Sequence, residues 1–301
     1  MPTLEKIQGA IIGGAENRVK NLETKTKLVT GTAAAISAVT ADVGTLRFAT
    51  DTGNLMVAQG SGNWVSPSSF SNGYSVDFDG SNDYMSTDIE IHDYDGSGSS
   101  LKDTGFSFAF WANIDAHSNM EFFGAMGSAS DRVMFGIENS TSFQLGIGNL
   151  STYLAHGMST GTWYHLAVTW NTSGAWAVYR DGASIHTGTH TTWTPSTART
   201  ISIGALHYVW PYLYYYNGKM DEMGMWDKAL TADEVTAIYN SGSPFDLTGN
   251  SGNYTSSGDL QAYWRMGDDD SGTGTTITDA SGNGHHGTLV NSPAFSTTVP
   301  S

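Results

Sequence analysis

Phe106, Phe108 and Phe110 alternate with Ser107, Ala109 and Trp111 in the run FSFAFWANI. A period of two places the three phenylalanines on one face of an extended segment, which a helix cannot do. So apolar a face must meet a second apolar layer, and many such strands with one short helix fit a β-sandwich or jelly roll. WYHLAVTW repeats the pattern, with Tyr164, Leu166, Val168 and Trp170 on one face and Trp163 and His165 on the other. YSVDF places Val76 with Phe78, and AWAVYRDGASI reads as a hairpin whose Asp181-Gly182 pair suits a type I′ turn. Strands at Ile201–Ile203 and Met220–Trp226 follow. One helix interrupts them. In LTADEVTAIYNSG, Thr231 and Glu234 form a capping box, Val235, Ile238 and Tyr239 give an apolar face, and Asn240-Ser241-Gly242 ends it.

Composition supports an all-β chain with a sizeable core: 39% hydrophobic and 12% aromatic residues, against 14% charged. Asp and Glu outnumber Lys and Arg by 29 to 13, a formal charge of −16. Such a surface repels phosphate backbones, so nucleic acid is not an expected partner, whereas carboxylate-rich turns suit calcium. The absence of cysteine excludes disulfides, thiolate catalysis and Cys-based zinc sites. The opening MPTLEKIQGAIIGGAENRVK is too short an apolar run to span a bilayer and shows no secretory pattern, so no membrane insertion is expected.

Residues 1–45 read as an anchor and linker. Leu4, Ile7, Ile11 and Ile12 recur at helical spacing, with nothing in their own segment to bury against. Residues 46–66 read as a hairpin, Leu46 and Phe48 returning as Leu55 and Val57. Two strands are not stable alone, so they must pack on something else. Residues 67–301 form the main domain.

Several segments of that domain resemble the laminin-G-like, concanavalin A-like jelly-roll family: VDFDGSNDYM, GTWYHLAVTWN, VYRDGASI, and ISIGA followed by NGKMDEMGMWDKALTADEVTAIYNSG. LQAYWRMGDDDSGTGTTITDASGNGHHGTLVNSP resembles the element that opens most members, but here it comes last. Neighbouring terminal strands would let a sandwich keep its fold through that permutation. The resemblance implies an all-β, concanavalin A-like jelly-roll sandwich with one short helix, carried on the N-terminal segment and hairpin.

Catalytic motifs find little support. GMSTG matches the nucleophile pattern around Ser159, but a strand follows it where that chemistry needs a helix. Jelly-roll glycosidases carry alternating carboxylates on one strand, and the nearest equivalent is Asp221, Glu222 and Asp227. Asp221 and Glu222 are adjacent, so regular alternation sends them to opposite faces, and the chain is read as non-enzymatic. His285 and His286, side by side in an extended turn, are not expected to chelate one ion together. His186 and His190 lie in a Thr-rich extended stretch where their spacing has no helical meaning.

The family resemblance implies a calcium site drawing on Asp79 and Asp83 with Asp279 and Asn283. The competing reading makes them turn residues bonding their own backbone. HYVWPYLYYYNG places Trp210, Tyr212, Tyr214 and Tyr216 at alternate positions, suited to stacking on sugars, to a subunit interface or to the core. The tether, hairpin and lectin-like domain together resemble virion appendages of tailed bacteriophages: tail fibres, head fibres and capsid decoration proteins. That resemblance implies a homotrimer located on the virion, docked to other virion proteins through its N-terminus, with the jelly roll exposed to host-surface glycans. The alternative is a lectin module of a bacterial surface or secreted protein.

Overall fold

The computed structural model describes residues 70–90, 101–193, 199–208 and 213–300, with the backbone of four further strands between residues 30 and 65. The chain divides into two compact units, Met1–Phe70 and Ser71–Ser301. In the first, β1 (Thr30–Gly31), β2 (Leu46–Ala49), β3 (Leu55–Gly60) and β4 (Asn63–Val65) form one sheet in that order. Leu46 pairs with Val57 and Phe48 with Leu55, and β4 adds a third antiparallel strand. The anchor residues Leu4, Ile7, Ile11 and Ile12 lie outside the described residues.

The second unit is a sandwich. Among the described residues its eight-stranded sheet contains β5 (Ser75–Asp79), β7 (Phe106–Ile114), β12 (Trp163–Trp170), β13 (Ala175–Arg180), β14 (Ala183–Thr189), β17 (Asn217–Trp226), β18 (Leu260–Trp264) and β21 (Ala294–Ser296). The facing sheet contains β6 (Tyr84–Glu90), β8 (Met120–Ser128), β9 (Asp131–Ile137), β10 (Ser142–Ile147), β11 (Leu150–Ala155) and β15 (Thr200–Ile203). Short strands β16 (Leu206–His207), β19 (Thr276–Ile277) and β20 (Gly287–Val290) complete it.

The alternating apolar faces meet between the sheets. Phe106, Phe108 and Phe110 from β7 and Leu166 and Val168 from β12 pack against Phe122, Phe123 and Phe135, all fully buried. Phe108 stacks on Phe123 at 4.1 Å between centroids. The C-terminal element completes both sheets: β20 pairs with β6, and β21 pairs with β5, Ser296 opposite Ser75. The two ends of the domain are thus neighbours, which is the condition for the permuted order to keep the fold.

Helix α1 (Leu101–Thr104) is a single turn, and α2 (Ala232–Tyr239) covers the outer face of the eight-stranded sheet. Thr231 and Glu234 form the expected capping box, and Asn240 ends the helix in the left-handed region. Val235 and Ile238 bury against Ala109, Ala167 and Tyr263 in a second apolar cluster. Asp181 and Gly182 both have positive φ, 52° and 75°, as a type I′ turn requires.

One local departure matters for the chemistry. In β17, Asp221 pairs with Trp111 and Gly224 with Ala109, so Glu222 and Met223 together face Phe110 alone. This is a β-bulge, with Glu222 at φ 46°. The bulge cancels the alternation that was expected to separate Asp221 from Glu222.

Candidate functional site

Carboxylate oxygens of Asp221, Glu222 and Asp268 lie within 4.8 Å of one another, and among the described residues this is the one cluster with metal-ligating potential. The bulge therefore corrects the expectation that Asp221 and Glu222 face opposite ways. Arg265 sits against the cluster, 3.2 Å from Glu222 and 3.5 Å from Asp268, and the Tyr263 hydroxyl donates to Glu222. Asn72 donates to Asp221 at 2.9 Å. Burial first, then the neighbouring Glu222 charge, push the Asp221 pKa well above the usual carboxylate range. Asp221 is 0% exposed and Glu222 4%, so no polysaccharide reaches them. The cluster is a closed ionic joint that fastens β17, β18 and the segment around Asn72 together.

The four residues proposed for calcium do not share a site. Asp79 accepts from the Ser81 and Asn82 N–H groups, and Asp83 accepts from the Asp79 N–H. These two lie beside the Tyr84–Val290 end of the β6–β20 ladder. Asp279 belongs to the opposite end, where the neighbouring His285 meets Asp88 at 2.9 Å, roughly 13 Å away along β6. Asp279 accepts five hydrogen bonds of 2.8–3.0 Å, from the N–H groups of Tyr263, Ser281, Gly284 and His285 and from the Ser281 hydroxyl. Burial raises its pKa, but these donors outweigh burial and hold it below the usual carboxylate range. Asn283 turns its amide N–H toward the carbonyls of Leu260 and Gln261. The structure therefore does not bring the four together in one cage: Asp79, Asp83 and Asp279 each accept backbone N–H groups of their own turns, and Asn283 donates to two carbonyls. The histidines also diverge: His285 meets Asp88, whereas His286 accepts from the Asp279 N–H.

The aromatic stripe is divided as well. Tyr216 is fully buried, and its hydroxyl donates to the carbonyls of Asn113 and Lys219, so it belongs to the core. Tyr214 stays 40% exposed at φ 57°, a left-handed residue that breaks the strand alternation. Trp210 and Tyr212 lie outside the described residues.

Among the described residues, the large hydrophobic side chains left exposed are Tyr214 and Tyr153, the latter at 59%. They stand at the two ends of one cross-strand row. The Tyr214 carbonyl accepts from the Glu121 N–H at 2.8 Å. Glu121 then pairs with Gly136, Gly136 with Gln144, and Gln144 with Tyr153. Four inter-strand steps span roughly 19 Å, the length of a short oligosaccharide. Phe143 and Leu145 face the core, so Gln144 between them faces outward, and Glu121, in register with it through Gly136, lies on that same side of the sheet but is buried there.

Glycine shapes this row. A Cβ on Gly136 would lie 2.5 Å from Glu121 Oε2, so the glutamate lies flat across the bare backbone of the next strand. Glu121 is 1% exposed, and its Oε2 has no hydrogen-bond partner. Burial, then the charge of Glu138, push its pKa well above the usual value. Glu138, two residues beyond Gly136, accepts from the Asn119 amide at 3.1 Å, and Gln144 donates to Ser151 at 3.3 Å. Of this row, only Tyr214 was singled out from sequence. The available signals were a charged residue inside the apolar run MEFFGAM and a tyrosine out of phase with Leu150 and Leu154.

The family described as the concanavalin A-like lectin/glucanase superfamily has a model, Laminin_G_3, that matches residues 79–236. A candidate carbohydrate-binding protein from Bacteroides ovatus superposes with a TM-score of 0.56 at 17% identity, over 82% of this chain and 68% of that one. A heptameric SAP-like pentraxin from Limulus polyphemus gives a TM-score of 0.45 at 14% identity, covering 57% of this chain and 84% of that one. The sialidase CBM40 of Ruminococcus gnavus, bound to α2,3-sialyllactose, gives 0.40 at 11% identity, covering 51% and 94%. The first of these demonstrates the shared fold. No curated protein sequence matches the chain.

Proposed function

The chain belongs to the concanavalin A-like lectin/glucanase superfamily, and from that membership we propose that it is a non-enzymatic glycan-binding adhesin. The observation that carries this reading is the row from Tyr214 to Tyr153, with exposed rings at both ends and the half-buried Gln144 between them, Glu121 being buried beneath. Tyrosine rings stack on the C–H faces of sugars, and Gln144 offers an amide to ring hydroxyls. The buried Asp221–Glu222 pair supports the non-enzymatic reading, because a glycosidase must bring its two carboxyl groups to the substrate.

Residues 1–70 are the proposed docking element. Their strands form a sheet of their own, too small to supply a stable core without partners. A homotrimer would bring three such sheets together, as in the virion appendages of tailed phages that this arrangement resembles, with the sandwich projecting outward to host glycans. Light scattering on the full chain and on residues 71–301 tests the docking role. A trimer that becomes monomeric on truncation supports it, while monomers throughout favour a lectin module of a bacterial surface or secreted protein. Oligosaccharide binding that Tyr153→Ala weakens about tenfold supports the row, and binding indifferent to that change removes it.

A further inference from the structure

Among the described residues, Arg180, Lys219, Lys228 and Arg265 each lie 3.2–3.8 Å from a carboxylate oxygen. Arg132 is held differently. Its Nε and Nη2 donate to the carbonyls of Gly148 and Ala129, at 3.3 and 2.6 Å, which leaves its charge uncompensated. A guanidinium has more N–H groups than these two bonds engage, and Nη1 has no partner among the described residues. Arg132 is half-buried, and Nη1 is not among the buried unpartnered atoms, so it remains open to solvent. The side chain shares the outer face with the tyrosine row. A Cβ on Gly146 would lie 2.8 Å from Arg132 Cδ, so glycine there gives the arginine its path across β10. Gly146 pairs with the exposed Ser151, two residues from Tyr153 on β11. Burial lowers the Arg132 pKa and Tyr153 raises it, so guanidinium and phenol lie within electrostatic reach, and an arginine remains charged at any working pH. The acids of β8 and β9 do not compensate it. Asp131 is fully buried and accepts from the Trp193 indole at 2.8 Å, and Glu121 is buried opposite Gly136. Glu138 follows the far end of β9, six residues on, roughly 20 Å away.

We infer, resting on the reading of the row as the glycan site, that Arg132 selects acidic glycans: the carboxylate of a uronic or sialic acid accepts from Nη1 while a sugar ring stacks on Tyr153. The ligand then supplies the counter-charge that the chain does not, in a charge-assisted hydrogen bond. Two carbonyls hold the guanidinium in place before any ligand arrives, so little side-chain freedom is lost on binding. The floor between Arg132 and Tyr153 is bare at Gly146, and the Ser151 hydroxyl, which accepts from Gln144, keeps its own proton to donate. The formal charge of −16 repels anions at a distance, but physiological salt screens beyond about 8 Å, so contact with Arg132 decides.

The test compares ligands that differ in the acid alone: oligogalacturonates against their methyl esters, and sialyllactose against its methyl ester. The full chain is titrated by calorimetry in physiological salt as parent, Tyr153→Ala, Arg132→Gln and Arg132→Lys. In the parent, one acid should bind about tenfold more tightly than its ester, the lower worth of a hydrogen bond to a charged group. Tyr153→Ala should weaken acid and ester alike by about tenfold. Arg132→Gln should bring the acid-to-ester ratio to about one, and Arg132→Lys should keep part of the preference. The ratio is taken within each protein, so a loss of folded material cancels from it. Tyr153-dependent binding in which the esters equal or exceed the acids, or an acid preference that survives Arg132→Gln, overturns this inference while leaving the row as the glycan site. Binding of neither form, or binding unmoved by Tyr153→Ala, overturns the reading of the site itself.

Discussion

Replacing Glu121 with glutamine should stabilise the sandwich, and should do so increasingly as pH rises. Glu121 is 1% exposed, and burial followed by the Glu138 charge lifts its pKa well above 4.5. Below that pH both folded and unfolded chains hold the proton, and ionisation of the residue contributes no cost. As pH climbs from 4.5 toward the folded-state pKa, the unfolded chain ionises while the folded chain does not. Stability then falls by about 1.4 kcal/mol per pH unit, and it levels off above the folded-state pKa. Between pH 4.5 and 7 the ceiling on this loss is roughly 3 kcal/mol. Glutamine copies the shape of the protonated acid and cannot ionise, so the variant lacks the slope. Urea unfolding of parent and Glu121→Gln, followed by tryptophan fluorescence between pH 4.5 and 8, measures the difference directly. All other titrating groups occur in both proteins and largely cancel. The expected midpoints nearly coincide at pH 4.5 and separate in favour of the variant by pH 7, with unchanged slopes in urea. A gap that does not vary with pH, or a variant less stable than the parent at pH 7, refutes the placement of Glu121 as a buried, unpartnered acid.

Tyr153→Ala should lower oligosaccharide affinity about tenfold by calorimetry, in line with the loss of one stacked ring, and leave the melting temperature unchanged because the side chain is exposed. Asp279→Ala should cost about 2–4 kcal/mol, since it orphans several buried backbone donors. That loss should be equal in calcium and in chelator, whereas a calcium-ligating Asp279 would make it calcium-dependent. Gly136→Ala should destabilise by about 1–3 kcal/mol in urea, because its Cβ would sit 2.2 Å from the Met120 carbonyl oxygen. Thr231→Ala should cost about 1 kcal/mol, seen as faster amide exchange in the first turn of α2.

The sandwich was legible because burial writes a period into the sequence. Strands β7 and β12 bury one face against the opposite sheet, so Phe106, Phe108, Phe110, Leu166 and Val168 had to alternate with smaller or more polar residues. The capping box at Thr231 was equally readable, since it is a local bargain between two residues of one turn. The placement of the four calcium candidates was not legible for a different reason. Asp and Asn in glycine-rich turns look alike whether they hold an ion or their own backbone. Only the five donors converging on Asp279 separate the two cases, and three of those bonds come from Ser281 N–H, Gly284 and His285, brought round by a turn whose path the sequence does not spell out.

The two arrangements that bear on function both depend on register, which has no signature in sequence. A bulge shifts a strand by one residue, so Asp221 and Glu222 share one cluster although regular alternation would part them. The row from Tyr214 to Tyr153 crosses five chain segments, and its members follow no period because the turns between them set the offsets. What the sequence does carry is a pair of local oddities, a glutamate near the start of one apolar strand and a glycine within another. Each alone looks like a defect. Opposed by register, they explain each other: the missing Cβ of Gly136 is what gives the Glu121 side chain room to lie down. A run of aromatics carries no such local pairing. Such a run is as readily absorbed by the core, as Tyr216 was.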